Sequence, residues 1–286
     1  MNKDEMIRWL QGSPVSHLTE EIACRIRPSI RLTAQQVLAE TIELGATRMG
    51  GVPDLPEGVE WPKKDDRLLT PILQLRMSDV LRLDREAVLP RSGWLCFFYD
   101  AVEQPWGFEP AHRDGWKVLY FDVPLDRLRR LPVPAQPDGV YQPCLVRVKA
   151  EDTLPDSSAL ITEGVLEHMS ADFDAYFDLV YDYICGEDDC RHRLLGNPNV
   201  IQGEMRFTCQ YASNGIYCGD LSAEEDSRAP ALEAGVEDWV LLLQVDSDDD
   251  GPGWMWGDCG RIYFWIRQQD LARLDLDHVW VELQCS

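Results

Sequence analysis

Apolar positions along this chain follow two rhythms. In Ile72-Leu73-Gln74-Leu75, Gly93-Trp94-Leu95-Cys96-Phe97-Phe98, Leu242-Leu243-Gln244-Val245 and Gly260-Arg261-Ile262-Tyr263-Phe264-Trp265 they form short, nearly continuous runs, which predict buried strands. The first and third runs are offset by 170 residues, the second and fourth by 167, and a loop joins the members of each pair. Asp79-Val80-Leu81-Arg82-Leu83-Asp84 resembles Asp270-Leu271-Ala272-Arg273-Leu274-Asp275 in the same way, with Leu125-Asp126-Arg127-Leu128 as a looser third copy. The repeating unit reads as strand, one or two helical turns, strand.

The second rhythm is helical. Phe173, Tyr176, Phe177, Val180, Tyr181 and Ile184 recur at i, i+3, i+4, i+7, i+8 and i+11, which predicts one buried helix face, with Ser170 as N-cap and Gly186 as the stop. The opposite face carries Asp174, Asp178 and Asp182, about 6 Å apart along the axis. Like charges at that spacing destabilise a helix by roughly 0.2–0.5 kcal/mol per pair. A stripe kept at that cost reads either as a surface for a basic partner or as a solvated face. Two short amphipathic helices are expected around residues 3–11 and 17–26, and the Gly- and Pro-rich segment 50–62 predicts a fixed, turn-rich loop. The expected fold is α+β: two related, mainly antiparallel β-sheet halves, short helices, and one acidic amphipathic helix between them. We expect one domain over 1–286, divided into an N-terminal helical segment (1–45), a first β-rich half (46–135), an acidic connecting segment (136–195) and a second β-rich half (196–286).

Charge narrows the choice of partner. The 286 residues carry a formal net charge of −23. Such a field favours solubility and steers basic molecules inward. Nucleic acid as a partner is excluded on this reading, because phosphate contacts need Lys and Arg. Two stretches concentrate the acids: Glu151 to Cys190 holds twelve Asp and Glu with no Lys or Arg, and Asp220 to Asp250 holds eleven against the single Arg228. No apolar run is long enough to span a bilayer, and the opening MNKDEMIRWLQG lacks the apolar core of a secretory signal, so a cytoplasmic location is expected.

Catalytic signatures are missing. There is no GxSxG elbow, Walker A loop, HExxH or GxGxxG. The nine cysteines form no CxxC pair. Cys185, Cys190 and His192, with Cys209 or Cys218 as a fourth ligand, lie close enough in sequence to raise a metal site, although the spacing fits no standard zinc pattern. His192 otherwise reads as a structural histidine bonding a turn. Asp246-Ser247-Asp248-Asp249-Asp250-Gly251 fits the first six positions of an EF-hand loop, but Gly257 stands where a bidentate Glu is needed and the flanks read as strands. Trp254, Met255 and Trp256 beside that loop suggest an interface anchor, or else a lid folded on the core.

These motifs together resemble the YwqG-like family of bacterial proteins. The resemblance rests on Gly50-Gly51-Val52-Pro53-Asp54-Leu55-Pro56 with Trp61-Pro62, the Leu73-Gln74-Leu75 strand with Ser78-Asp79, Leu89-Pro90 with Gly93 to Phe98, His192-Arg193-Leu194-Leu195-Gly196 with Ile201-Gln202, and Leu243 to Ser247 with Trp256 to Gly260. It runs from about residue 45 to the C-terminus. Asn197 replaces the usual aromatic after the glycine of the histidine motif. The family has been labelled as of unknown function, and its members are often encoded beside secreted polymorphic toxins. The resemblance therefore implies a cytoplasmic immunity protein that binds a cognate secreted toxin, a basic one such as a nuclease, with no cofactor and no catalytic residue to carry over. The expected toxin-binding residues are Asp174, Asp178, Asp182, Glu187, Asp188, Asp246, Asp248, Asp249, Asp250, Trp254 and Trp256. Competing readings are a metal-dependent hydrolase at Asp246, Asp248, Asp250 and His192, and a calcium-tuned interaction module at the same loop.

Overall fold

A computed structural model describes residues 1–134, 139–185, 190–220 and 222–286, without the side chains of Asp182, Ile184, Cys185 and Glu224. Glu187 and Asp188 therefore lie outside the described residues, as does the side chain of Asp182. The strands, in chain order, are β1 (Arg27–Gln36), β2 (Arg48–Met49), β3 (Asp54–Pro56), β4 (Lys63–Lys64), β5 (Arg67–Leu68), β6 (Thr70–Arg76), β7 (Trp94–Tyr99), β8 (Trp116–Phe121), β9 (Leu128–Arg130), β10 (Cys144–Thr153), β11 (His192–Leu194), β12 (Trp239–Asp246), β13 (Arg261–Arg267) and β14 (Trp280–Gln284). The helices are α1 (Lys3–Gln11), α2 (Thr19–Ala23), α3 (Met77–Val80), α4 (Ser157–Thr162), α5 (Ala171–Cys185), α6 (Arg206–Ser213), α7 (Ser222–Glu225), α8 (Ala229–Leu232) and α9 (Gln268–Arg273). None of the described helices is long and apolar enough to cross a membrane.

Ten strands form one sheet in the order β14-β13-β12-β11-β1-β10-β2-β6-β7-β8, and the pairs along it are antiparallel. The order is symmetric about the central β1–β10 pair. β2-β6-β7-β8 leads outward on one side and β11-β12-β13-β14 on the other, so the predicted halves exist as the two ends of a single sheet. The ends come back together. Trp116 on β8 meets Trp280 on β14 edge to face at 5.0 Å, and its indole N–H donates to the Val279 carbonyl at 3.0 Å. The β14 edge is covered further where Leu283 N–H donates to Trp106 O at 3.1 Å, which hides backbone groups that an open edge would leave for another chain. Gly107 is required there: its φ is +94°, and a Cβ would sit 2.1 Å from the Val281 carbonyl oxygen.

The two halves also match in detail. Gly51-Val52-Pro53-Asp54 precedes β6 as Gly196-Asn197-Pro198-Asn199 precedes β12. In register, Arg48 faces Gln74 and Arg193 faces Gln244. Gln74 accepts from Asp54 N–H at 2.9 Å, and Gln244 accepts from Asn199 N–H at 2.8 Å. Arg48 donates to the Val52 carbonyl and Arg193 to the Asn197 carbonyl. Each half thus ties its Gly-x-Pro turn to the sheet with the same Arg and Gln.

Three expectations need correction. Residues 27–36, placed in an N-terminal helical segment, form β1, paired with β10 over its whole length at the sheet centre. The connecting segment supplies the central strand β10 as well as α5. The echo of Asp79 to Asp84 in Asp270 to Asp275 and Leu125 to Leu128 does not mark equivalent positions: α3 follows β6, α9 follows β13, and the Leu125–Arg127 turn follows β8. That short pattern marks any helical turn leaving a strand.

Helices α1, α2, α4 and α5 form a separate layer. Its own small core joins Met6, Leu10, Ile22, Leu160, Leu166 and Tyr176, and Tyr176 O–H donates to the Pro155 carbonyl at 2.7 Å. The N-terminal helices therefore serve as the platform on which α5 lies.

Candidate functional site

Helix α5 spans 15 residues and starts as the sequence predicts, with Phe173 N–H donating to the Ser170 hydroxyl at 3.1 Å. Its orientation differs from the prediction. Tyr176 is buried, and Ala175, Leu179, Val180 and Tyr183 pack beside it, whereas Phe177 is 50% and Tyr181 58% exposed. Because nearly every non-acidic position of this helix is apolar, two faces satisfied helical periodicity, and Ala175, Leu179 and Tyr183 were the residues that could have decided between them. The exposed side combines Phe177 and Tyr181 with Asp174 and Asp178, both exposed, and Met169, 80% exposed, stands just before the helix. Phe173, Phe177 and Tyr181 form a ladder with centroid spacings of 6.0 and 6.4 Å, the last two rings within 16° of parallel. Among the described residues no ion pair reaches Asp174 or Asp178, while Asp172, two residues before Asp174, meets His17 at 3.0 Å.

The loop after β12 is organised around a buried carboxylate. Asp246 accepts from Arg191 N–H at 2.9 Å and from Arg261 Nε at 2.8 Å, while its carbonyl accepts from the indoles of Trp254 and Trp256 at 2.9 and 3.2 Å. Asp246, Trp254 and Trp256 are all buried. None of these three expected toxin-binding residues presents a surface to a partner. The tryptophans are core, held there because each indole N–H finds the same carbonyl. Asp249 and Asp250 remain exposed.

Folding brings Cys190, His192 and Asp248 together with ligand-type atoms within 4.8 Å of one another, as the metal and hydrolase readings would require. The hydrogen bonds argue against both. Asp246 N–H donates to His192 Nδ1 at 3.0 Å, which places the ring proton on Nε2, and Nε2 lies 3.1 Å from Asp248 Oδ2 and 3.1 Å from Cys190 Sγ. A histidine that ligates a metal through Nε2 carries its proton on Nδ1 and donates from there. A histidine serving as base likewise needs a free Nε2 oriented by an acceptor at Nδ1. Here Nδ1 faces a donor. Burial, then the nearby Asp248 and Asp246 carboxylates, push the Cys190 thiol well up from the usual range, which disfavours the thiolate that a nucleophile needs. Burial works to raise Asp248, but bonds from His192 and from Gly251 N–H outweigh it and hold the carboxyl low. With Asp246 and Asp248 both turned to protein donors, the loop lacks the ligand arrangement of an EF-hand.

A groove of about 1360 Å³ has a lining that includes Leu89, Leu195, Met205, Trp239 and Trp265. Part of its charge is paired within the lining: Arg206 meets Glu204 at 2.9 Å and Glu237 at 3.0 Å, and Arg25 meets Glu163 at 2.5 Å. None of the expected toxin-binding residues lines it, whereas Leu89, Pro90, Leu195, Gly196 and Asn197 of the family-like motifs do. A second cluster, of buried Asp270 with exposed Asp275 and His278, brings three ligand-type atoms together, with Arg267 3.9 Å from Asp270.

No curated protein matches this chain. The model of a family described as a domain of unknown function (DUF1963) matches residues 47–285. That span takes in both ends of the sheet and α5 but leaves out β1, which the fold places at its centre. The chain belongs to this family of unknown function.

Proposed function

We propose that the protein is a YwqG-like immunity protein, a cytoplasmic inhibitor that binds a secreted antibacterial toxin and neutralises it. The observation that carries the reading is the outer face of α5, where Asp174 and Asp178 stand in solvent beside Phe177 and Tyr181. Exposed aromatics next to carboxylates are the composition of a docking surface. A net charge of −23 selects a basic partner, and a nuclease is basic around its phosphate-binding cleft. Complementary charge accelerates encounter, and carboxylates can stand where phosphates would. Asp249 and Asp250, exposed beyond β12, add to the same field. The hydrolase alternative finds less support, because the proton on His192 Nε2 is held by Asp248.

The experiment is co-expression. Cells producing a candidate cognate toxin, such as a basic secreted nuclease, should survive when this protein is made, and the purified pair should form a complex whose association slows steeply with salt. Survival unaffected by this protein, together with no complex at low salt, would remove the reading.

A further inference from the structure

We propose that the outer face of α5 is an arginine-reading ridge, built to take two guanidinium groups about one helical turn apart on a protein partner. The inference rests on the inhibitor reading and names the chemistry its partner must present. On a helix, residues three apart are neighbours. Asp174 therefore flanks Phe177, and Asp178 flanks Tyr181, giving two successive carboxylate–aromatic couples about 6 Å apart along the axis. The rings of both couples are exposed and close to parallel. Such a couple suits arginine better than lysine. A guanidinium is planar and weakly hydrated, so it stacks on a ring while its N–H edge bonds a carboxylate, whereas an ammonium is a compact, strongly hydrated point charge.

The chain already uses this contact. Arg191 lies over the ring of Tyr183 at 5.3 Å on the same helix, and Arg267 over Trp239 at 4.9 Å. Two arginines at i and i+4 of a partner helix would match the spacing of the couples. A membrane surface does not fit, because its anionic lipids would be repelled by the same carboxylates.

The test uses the full chain and two synthetic helical peptides of equal length and charge, one with arginines at i and i+4, the other with lysines at the same positions. Calorimetric titration should show the arginine peptide binding several-fold more tightly, because only a guanidinium lies flat on each ring while its N–H edge bonds the neighbouring carboxylate. The double variant Phe177→Leu, Tyr181→Leu keeps apolar surface but removes the rings, and should abolish that preference while leaving the melting temperature close to wild type. Equal affinity for the two peptides, or a preference that survives the double variant, would overturn the proposal. The same variant is then measured against the toxin that the co-expression experiment identifies. Unchanged toxin binding would overturn the ridge but leave the inhibitor reading intact, whereas failure of the wild-type protein to bind toxin would remove that reading whatever the peptides show.

Discussion

Phe97 and Phe264 hold equivalent positions in the two halves, 167 residues apart, and meet edge to face with ring centroids 5.3 Å apart. Both are fully buried in the main core. The internal repeat is therefore a packing relationship as well as a sequence echo, since the same residue from each half closes the centre of the molecule. Either Phe→Ala change should cost about 3–5 kcal/mol by emptying part of that centre. Because the two rings touch, the double variant should lose less than the sum of the single losses, measured by urea unfolding. Strict additivity would mean that the halves stabilise themselves independently.

The halves diverge at one charged position, and the divergence predicts a pH dependence. Asp54 in the first half corresponds to the neutral Asn199 in the second. Burial works to raise Asp54, but hydrogen bonds and charge from Arg130 and Arg48 outweigh it and hold the carboxyl at about 2. A carboxyl depressed on folding adds stability above its unfolded value near 3.8, and that stability is lost as pH falls through about 2. Asp54→Asn leaves the buried Arg48 without its charge partner and should cost about 3–5 kcal/mol at pH 7. The deficit should shrink as denaturation is repeated at pH 4, 3 and 2. A deficit independent of pH would assign Asp54 a steric role.

Glu282 on β14 gives the opposite sign. Burial drives its carboxyl well above the usual glutamate range, with a bond from Cys209 opposing weakly. The folded protein therefore holds it protonated over a window in which the unfolded chain ionises, and stability falls as pH rises above about 4.5 toward the folded value. Glu282→Gln keeps the shape without the ionisation. The variant should be more stable than wild type at pH 7 and nearly equal to it at pH 4, by thermal melting at both. A variant destabilised at pH 7 would show that Glu282 folds as the charged form.

What the sequence made legible follows from how local each signal is. The strands β6, β7, β12 and β13 were readable because continuous apolar runs bounded by Gly and Pro admit little else, and the offsets of 170 and 167 gave their equivalence. β1 was not, since Arg27 to Gln36 alternates polar and apolar residues only weakly and owes its place to the ten-residue ladder with β10. Trp254 and Trp256 look like surface anchors because acids and glycines surround them. Only the fold shows both indoles reaching Asp246 O. Cys190 with His192, and His192 with Asp248, belonged to two different readings, and the convergence of all three needed the pairing of β11 with β12. The tautomer that disqualifies them hangs on one backbone N–H that no spacing reveals.

That tautomer carries a prediction for ions. With Asp246 and Asp248 committed to protein donors, millimolar calcium, zinc or a chelator should leave the melting temperature nearly unchanged. An ion at 100 times its dissociation constant would add about 2.7 kcal/mol, enough to move the transition by several degrees. Such a shift, lost in Asp248→Asn, would revive the ion-binding readings.

The outer carboxylates of α5 separate stability from function most cleanly. Replacing Asp174 and Asp178 by Asn relieves the repulsion between them, roughly 0.2–0.5 kcal/mol. Against this, Asp174 lies in the first turn, where a negative charge complements the helix dipole, so its removal gives back a similar amount. Asn and Asp have similar helix propensity, which leaves the double variant within about 0.5 kcal/mol of wild type by urea denaturation. Toxin binding should respond very differently. Association at low salt should slow several-fold, its steep decline with ionic strength should flatten, and protection of toxin-producing cells should weaken, because charges that steer encounter act mainly on the association rate. Unchanged association with unchanged stability would make this face a solvated surface, and the search for the interface would then move to Asp249 and Asp250.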